Sequence, residues 1–187
     1  MVRRNLKKIV ATVIVSVIVT CSTTKVDATY RFFIITEKQQ KDRWCWVTVA
    51  RGLARNDALV ELTQSDGVAY VKGSVVNESG SIEDVQAAAH YFTDFKYSYY
   101  ESGGILSLDT IVELIDRERV IAAACYKPSI WGGNTGHMFL IVGYNTNEDF
   151  SEVVYSDPYD GEIYNKDYDE FCVGEYIYEN SIYRRYK

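Results

Sequence analysis

The chain has 187 residues, 47% of them hydrophobic and 25% charged, with two prolines, sixteen tyrosines and a net charge of −6. This composition excludes a disordered or low-complexity chain and favours an ordered, strand-rich one. The acidic balance argues against nucleic acid or an anionic membrane as partner.

The first residues read as an export signal. Arg3, Arg4, Lys7 and Lys8 form a basic start, Ile9 to Val19 an apolar run, and Val26-Asp27-Ala28 a stretch suited to signal peptidase. That is the pattern of a cleavable signal peptide over residues 1–28. The apolar run is about eleven residues long, short of the roughly 20 that a spanning helix needs, so no stable membrane span is expected. A lipid anchor at Cys21 is the alternative, although Thr20 is unlike the small Ala or Gly that usually precedes such a cysteine. The expected location is extracellular. Cleavage after Ala28 leaves one domain, residues 29–187. It removes five basic residues (Arg3, Arg4, Lys7, Lys8, Lys25) and Asp27, which takes the net charge from −6 to −10.

Next along the chain, Val49, Leu53 and Ala54 recur at helical spacing and predict a helix over 44–56, with Cys45 in its first turn. Ser81, with Asp84 three residues on, predicts an N-capped helix over Ile82 to Tyr91. Ser107 opens another over Leu108 to Glu118, with Leu108, Ile111, Val112 and Ile115 as its apolar face. Short β-prone runs follow: Val120 to Tyr126, Met138 to Tyr144, Val153 to Tyr155, Glu162 to Tyr164 and Tyr176 to Tyr183. Turn residues separate them, and a small helix is expected at Asp167 to Phe171. Three helices and then strands predict an α+β domain, N-terminal helices packed on a C-terminal antiparallel sheet.

Three cysteines, Cys45, Cys125 and Cys172, remain after the signal, and three cannot all pair. An odd cysteine in a secreted chain points to an intermolecular bridge or to a thiol with a chemical purpose. Only His90 and His137 are present and no ligand spacing occurs, so neither metal nor cofactor is expected. A lone helical cysteine is usually core filler. Cys45 differs in its place, because free N–H groups and the dipole at a helix start favour a thiolate.

A base for that thiol is available in His137, at the start of the apolar strand in NTGHMFLIVGY. The next strand returns antiparallel and brings Asp157 back beside it, where a carboxylate can orient an imidazole. Asp157 also has a bland reading as the opener of an Asp-Pro turn, and Asn145 is the competing orienter. His90, in a helix after an alanine run, reads as packing or surface. Trp44 and Trp46 read as helix packing, with Trp44 as an alternative cleft wall. Trp131-Gly132-Gly133 reads as a cleft edge that an extended peptide can pair with. Cys125 and Cys172 are either a disulfide or two buried thiols.

Gln39 six residues before a Trp-flanked Cys45, then GHMFLIVGY, then YSDPYDG, resembles the papain-like cysteine peptidases. The likeness is closest to the bacterial branch with double-glycine leader peptidases and secreted effector proteases of plant pathogens. SIEDVQAAAHYF and LSLDTIVELIDRERVIAAACY extend it over most of residues 29–187, while Asp42-Arg43-Trp44 departs from the lead before the cysteine in papain. The resemblance implies the papain-like fold, a peptide or protein substrate, and a secreted cysteine endopeptidase working through an acyl-enzyme. It implies Cys45 as nucleophile, His137 as base, Asp157 as orienter and Gln39 in the oxyanion hole, with Gln40 one residue away as competitor. An acyl or peptidyl transferase and an inactive peptide-binding module are the alternative outcomes on this scaffold. The oligomeric state is not indicated.

Overall fold

Among the described residues, four of the five helices open on a side chain that accepts from their first-turn N–H groups. The computed structural model describes residues 28–31, 36–129, 133–147 and 149–185. Helix α1 spans Cys45–Asp57 and begins after Trp44 with no side-chain cap. Helix α2, Gln64–Lys72, is opened by a capping box of Thr63 and Asp66 and closed by Gly73 at φ 77°. Ser81 and Asp84 form the same box at α3, Ile82–Phe92. Ser107 caps α4, Leu108–Asp116, and Asp167 caps α5, Tyr168–Val173.

Seven strands, β1 (Ala28–Arg31), β2 (Tyr99–Glu101), β3 (Ile121–Lys127), β4 (Thr135–Thr146), β5 (Ser151–Ser156), β6 (Ile163–Asp167) and β7 (Ile177–Arg184), form one sheet. Its order is β2-β7-β3-β4-β5-β6, with β1 pairing β4, and every pairing is antiparallel. The architecture is the expected α+β one, with three elements that the sequence pattern did not announce. β1 precedes all helices and β2 separates α3 from α4, so the order is not simply helices and then strands. Helix α2 shows little apolar periodicity because Val68 is its one buried hydrophobic residue. Gly67 sits at its centre because a methyl there would overlap Phe92 and Val47.

The sheet separates two cores. Met138, Leu140 and Val142 of β4 pack with Trp46, Val49, Leu53, Val68, Val85 and Ala89 from the first three helices. Phe139 and Ile141, one residue out of phase, join Ile111, Ile115, Phe171 and Tyr178 on the other face. Trp44 and Trp46 are each 1% exposed, and their indoles donate to Val76 O (2.8 Å) and Glu78 O (3.0 Å). Both are packing residues, as the sequence suggests, and truncating either would cost about 3–5 kcal/mol.

The β4–β5 register matters most for function. It slips by one residue between Ile141 and Gly143, so that Tyr144 opposes Val153 but Leu140 opposes Ser156. Continuing that register sets Asp157 opposite Phe139, on the face His137 shares. A ladder without the bulge would set Asp157 opposite Leu140, on the wrong face.

Among the described residues no helix is long and apolar enough to cross a membrane. The expected signal peptide lies outside the described residues apart from Ala28, the first residue of β1. Cys21, Trp131 and Gly132 also lie outside them.

Candidate active site

Cys45 is the first residue of α1, partly exposed, with a free thiol. Across from it stands His137, the third residue of β4, because that strand begins at Thr135, three residues earlier than its apolar pattern shows. The two side chains line one cleft, close enough for the thiol to act on the imidazole. His137 Nε2–H donates to Asp157 Oδ1 at 2.7 Å, which leaves Nδ1 for the thiol. The side chains of His137 and Asp157 are 12% and 22% exposed. Burial alone would lower the basicity of this imidazole. The hydrogen bonds to Asp157 and Cys45, and the charges of those groups, outweigh burial and carry its pKa up to about 9.

Asp157 also makes the turn its sequence predicts. Oδ1 accepts from Tyr159 N at 2.8 Å, the Asp157 N–H donates to Glu162 O at 3.0 Å, and Gly161 N donates to Asp157 O at 2.8 Å. The turn and orienting readings are therefore compatible, since the turn fixes the carboxylate that the imidazole meets. Asn145 is engaged elsewhere, donating to Glu152 Oε2 at 3.0 Å. His90 packs edge-on against Phe95 and lies 3.2 Å from its carbonyl oxygen.

Gln39 lines the same cleft as Cys45 and His137, a space of about 670 Å³ that Asp42, Asn134, Gly136 and Tyr176 also border. Its backbone N–H donates to Pro158 O at 2.7 Å and its side-chain Nε2 to Asp42 O at 3.0 Å. Gln40 is exposed, and its N–H donates to Gln64 Oε1 at 3.0 Å.

Cys125 and Cys172 are both buried free thiols, so the disulfide alternative does not hold. Burial pushes both thiols up, which keeps them protonated and inert. Two aromatic residues beside the imidazole have no distinguishing mark in the sequence. Phe139 meets the His137 ring edge-on at 4.6 Å, and the Tyr176 ring lies 5.3 Å away on the cleft side. Tyr176 opens the run Tyr176 to Tyr183 that reads as a strand, and only the fold sets it apart.

Helices packed on an antiparallel sheet, with a cysteine at a helix start and a histidine on a strand lining one cleft, are the layout of the papain-like fold. The model of the Peptidase_C39 like family matches residues 20–186, and the chain belongs to that family. It is a cysteine peptidase, and its substrates are peptides or proteins. Among solved structures it is similar to digestive procathepsin L 3 of the Tenebrio molitor larval midgut. That likeness has a TM-score of 0.53 at 12% identity, over 86% of this chain and 70% of that one. It is also similar to a structure from work on the mite allergens Blo t 1 and Der p 1. There the TM-score is 0.52 at 12% identity, covering 91% of this chain and 74% of that one. A search of curated proteins finds no match.

Proposed function

We propose that this protein is a secreted endopeptidase in which Cys45, His137 and Asp157 form the catalytic triad of an acyl-enzyme mechanism. The observation that carries this reading is the imidazole of His137, held at Nε2 by Asp157 and sharing its cleft with Cys45. With its pKa near 9 the imidazole is protonated at neutral pH and carries the proton that a leaving amine needs.

The Cys45 sulfur attacks the carbonyl carbon of the scissile bond, and the C–N bond breaks as His137 gives its proton to the leaving amine. Water then attacks the thioester, His137 takes a proton from it, and the C–S bond breaks to release acid and free thiol. The oxyanion is stabilised by the Cys45 N–H and the Gln39 amide, whose second hydrogen remains after one is given to Asp42 O. Asp157 keeps the imidazole in one tautomer and orientation.

Residues 29–187 are the peptidase domain, released outside the cell after cleavage following Ala28. The basic start and apolar run of the first nineteen residues support that location. Cys45→Ala should abolish hydrolysis of a mixed peptide library, and hydrolysis at the original rate would sink the triad. Mass spectrometry with an added amine separates hydrolysis from acyl transfer. The exported protein should begin at Thr29, and a lipid-modified Cys21 would refute the cleavage site.

A further inference from the structure

We infer that Gln64, at the first turn of α2 and not itself lining the cleft, is the positioning residue that holds Gln39 in place for catalysis; this rests on the proposed oxyanion role of Gln39.

The side chain of Gln39 is poorly anchored by its own contacts. Nε2 gives one hydrogen to Asp42 O, while the buried Oε1 has no hydrogen-bond partner among the described residues. Its place must then come from the backbone that carries it. That backbone is held from both flanks by one amide. Gln64 is fully buried, at 0% exposure, and spends every donor on the segment: Nε2 donates to Lys38 O at 2.9 Å and to Glu37 Oε1 at 3.0 Å. Its Oε1 accepts from Gln40 N at 3.0 Å. Residues 38 and 40 are therefore clasped on either side of Gln39.

The clasp also couples the segment to the nucleophile's helix. Glu37, which Gln64 holds, is ion-paired with Arg51 and with Arg55 at 3.0 Å, both from α1, which begins at Cys45. The Thr63–Asp66 box fixes the start of α2 and thereby the root of Gln64. A buried amide with its donors satisfied by a loop specifies one geometry for that loop, because any shift leaves a polar group without a partner. An oxyanion donor is useful only within a few tenths of an ångström of the position where charge develops. Gln64 supplies that tolerance without touching substrate.

The test is a double-mutant cycle on the full exported protein, using the best-cleaved fluorogenic peptide from a mixed library. Gln64→Met keeps the volume and removes every hydrogen bond, and Gln64→Glu keeps the acceptor for Gln40 while removing both donors. Each should lower kcat about tenfold or more with KM within about twofold. The rate of Cys45 alkylation by iodoacetamide, a displacement with no oxyanion, should stay within about twofold. In a Gln39→Ala background the further loss should be under about twofold, since the two residues act as one unit. Unchanged kcat in either variant, losses that multiply with Gln39→Ala, or alkylation that falls in step with hydrolysis would each overturn the assignment. Hydrolysis surviving Cys45→Ala is a separate result and removes the triad instead.

Discussion

Asp157 Oδ1 sits 2.7 Å from His137 Nε2 although His137 is on β4 and Asp157 lies just past the end of β5, and the carboxylate is held by a turn whose Pro158 carbonyl accepts from Gln39 N at 2.7 Å. One short turn therefore touches both the base and the segment proposed for the oxyanion hole.

The first consequence concerns pH. His137 is protonated up to about pH 9, and above that it has no proton for a leaving amine. The alkaline limb of kcat/KM should fall near pH 9. Asp157→Ala removes one of the causes that raise this pKa, so its limb should move to lower pH, and kcat/KM should drop about tenfold or more at pH 7. A limb that stays in place in the variant would separate Asp157 from the titration.

Thiol reactivity gives the second test. Cys45 borders the open cleft, whereas Cys125 and Cys172 are buried and their thiols are pushed up by burial. Iodoacetamide at neutral pH should therefore add one carbamidomethyl group to the native protein cleaved after Ala28, at Cys45, and three after urea unfolding, as peptide mapping would show. Labelling of Cys125 or Cys172 at a comparable native rate would contradict the described packing.

Much of this site is legible in the sequence, because its chemistry depends on residue types that the sequence holds sparingly. Two histidines and three cysteines beyond the first residues leave few combinations, and the apolar strand after His137 fixes which histidine can face a cleft. Caps made the starts of α3 and α4 readable at Ser81 and Ser107. The same signal stood at Thr63 and Asp66, but with Gly67 inside and one buried hydrophobic residue, α2 lacked the periodicity that would have promoted it to a helix. The bulge between Ile141 and Gly143 is not encoded by local propensity, so the face on which Asp157 lands belongs to tertiary packing. Gln64 could not be found at all from local pattern, since a buried glutamine reads as an ordinary surface one until its partners across 24 to 27 residues are seen.

A stability test follows from the same histidine. In the unfolded chain His137 titrates near about 6.5, and in the folded protein near about 9. Its stabilising contribution is fully present below about pH 6.5 and is lost as pH rises through about 9. Urea midpoints of wild type and His137→Gln should therefore converge as pH goes from 6 to 9.5. A gap that widens with pH would reverse the sign and refute the charged-pair description.

Gly161 offers the last and most local test, because two separate demands fall on it. Its φ is +82°, a left-handed conformation that costs a side chain about 1 kcal/mol. A methyl there would also lie 3.0 Å from Lys38 N and 3.3 Å from the Glu37 carbonyl carbon, backbone atoms of the segment leading to Gln39. Gly103 is a control with φ +72° and nothing within 4 Å of the added carbon. Gly103→Ala should lose about 1 kcal/mol of stability and keep its kcat. Gly161→Ala should lose about 1–3 kcal/mol, since backbone cannot swing aside as a side-chain tip can. It should also lower kcat several-fold, because the turn that carries Asp157 and the segment that carries Gln39 are forced apart. Equal stability losses in the two variants, with kcat preserved in both, would show that the turn and the segment do not constrain each other.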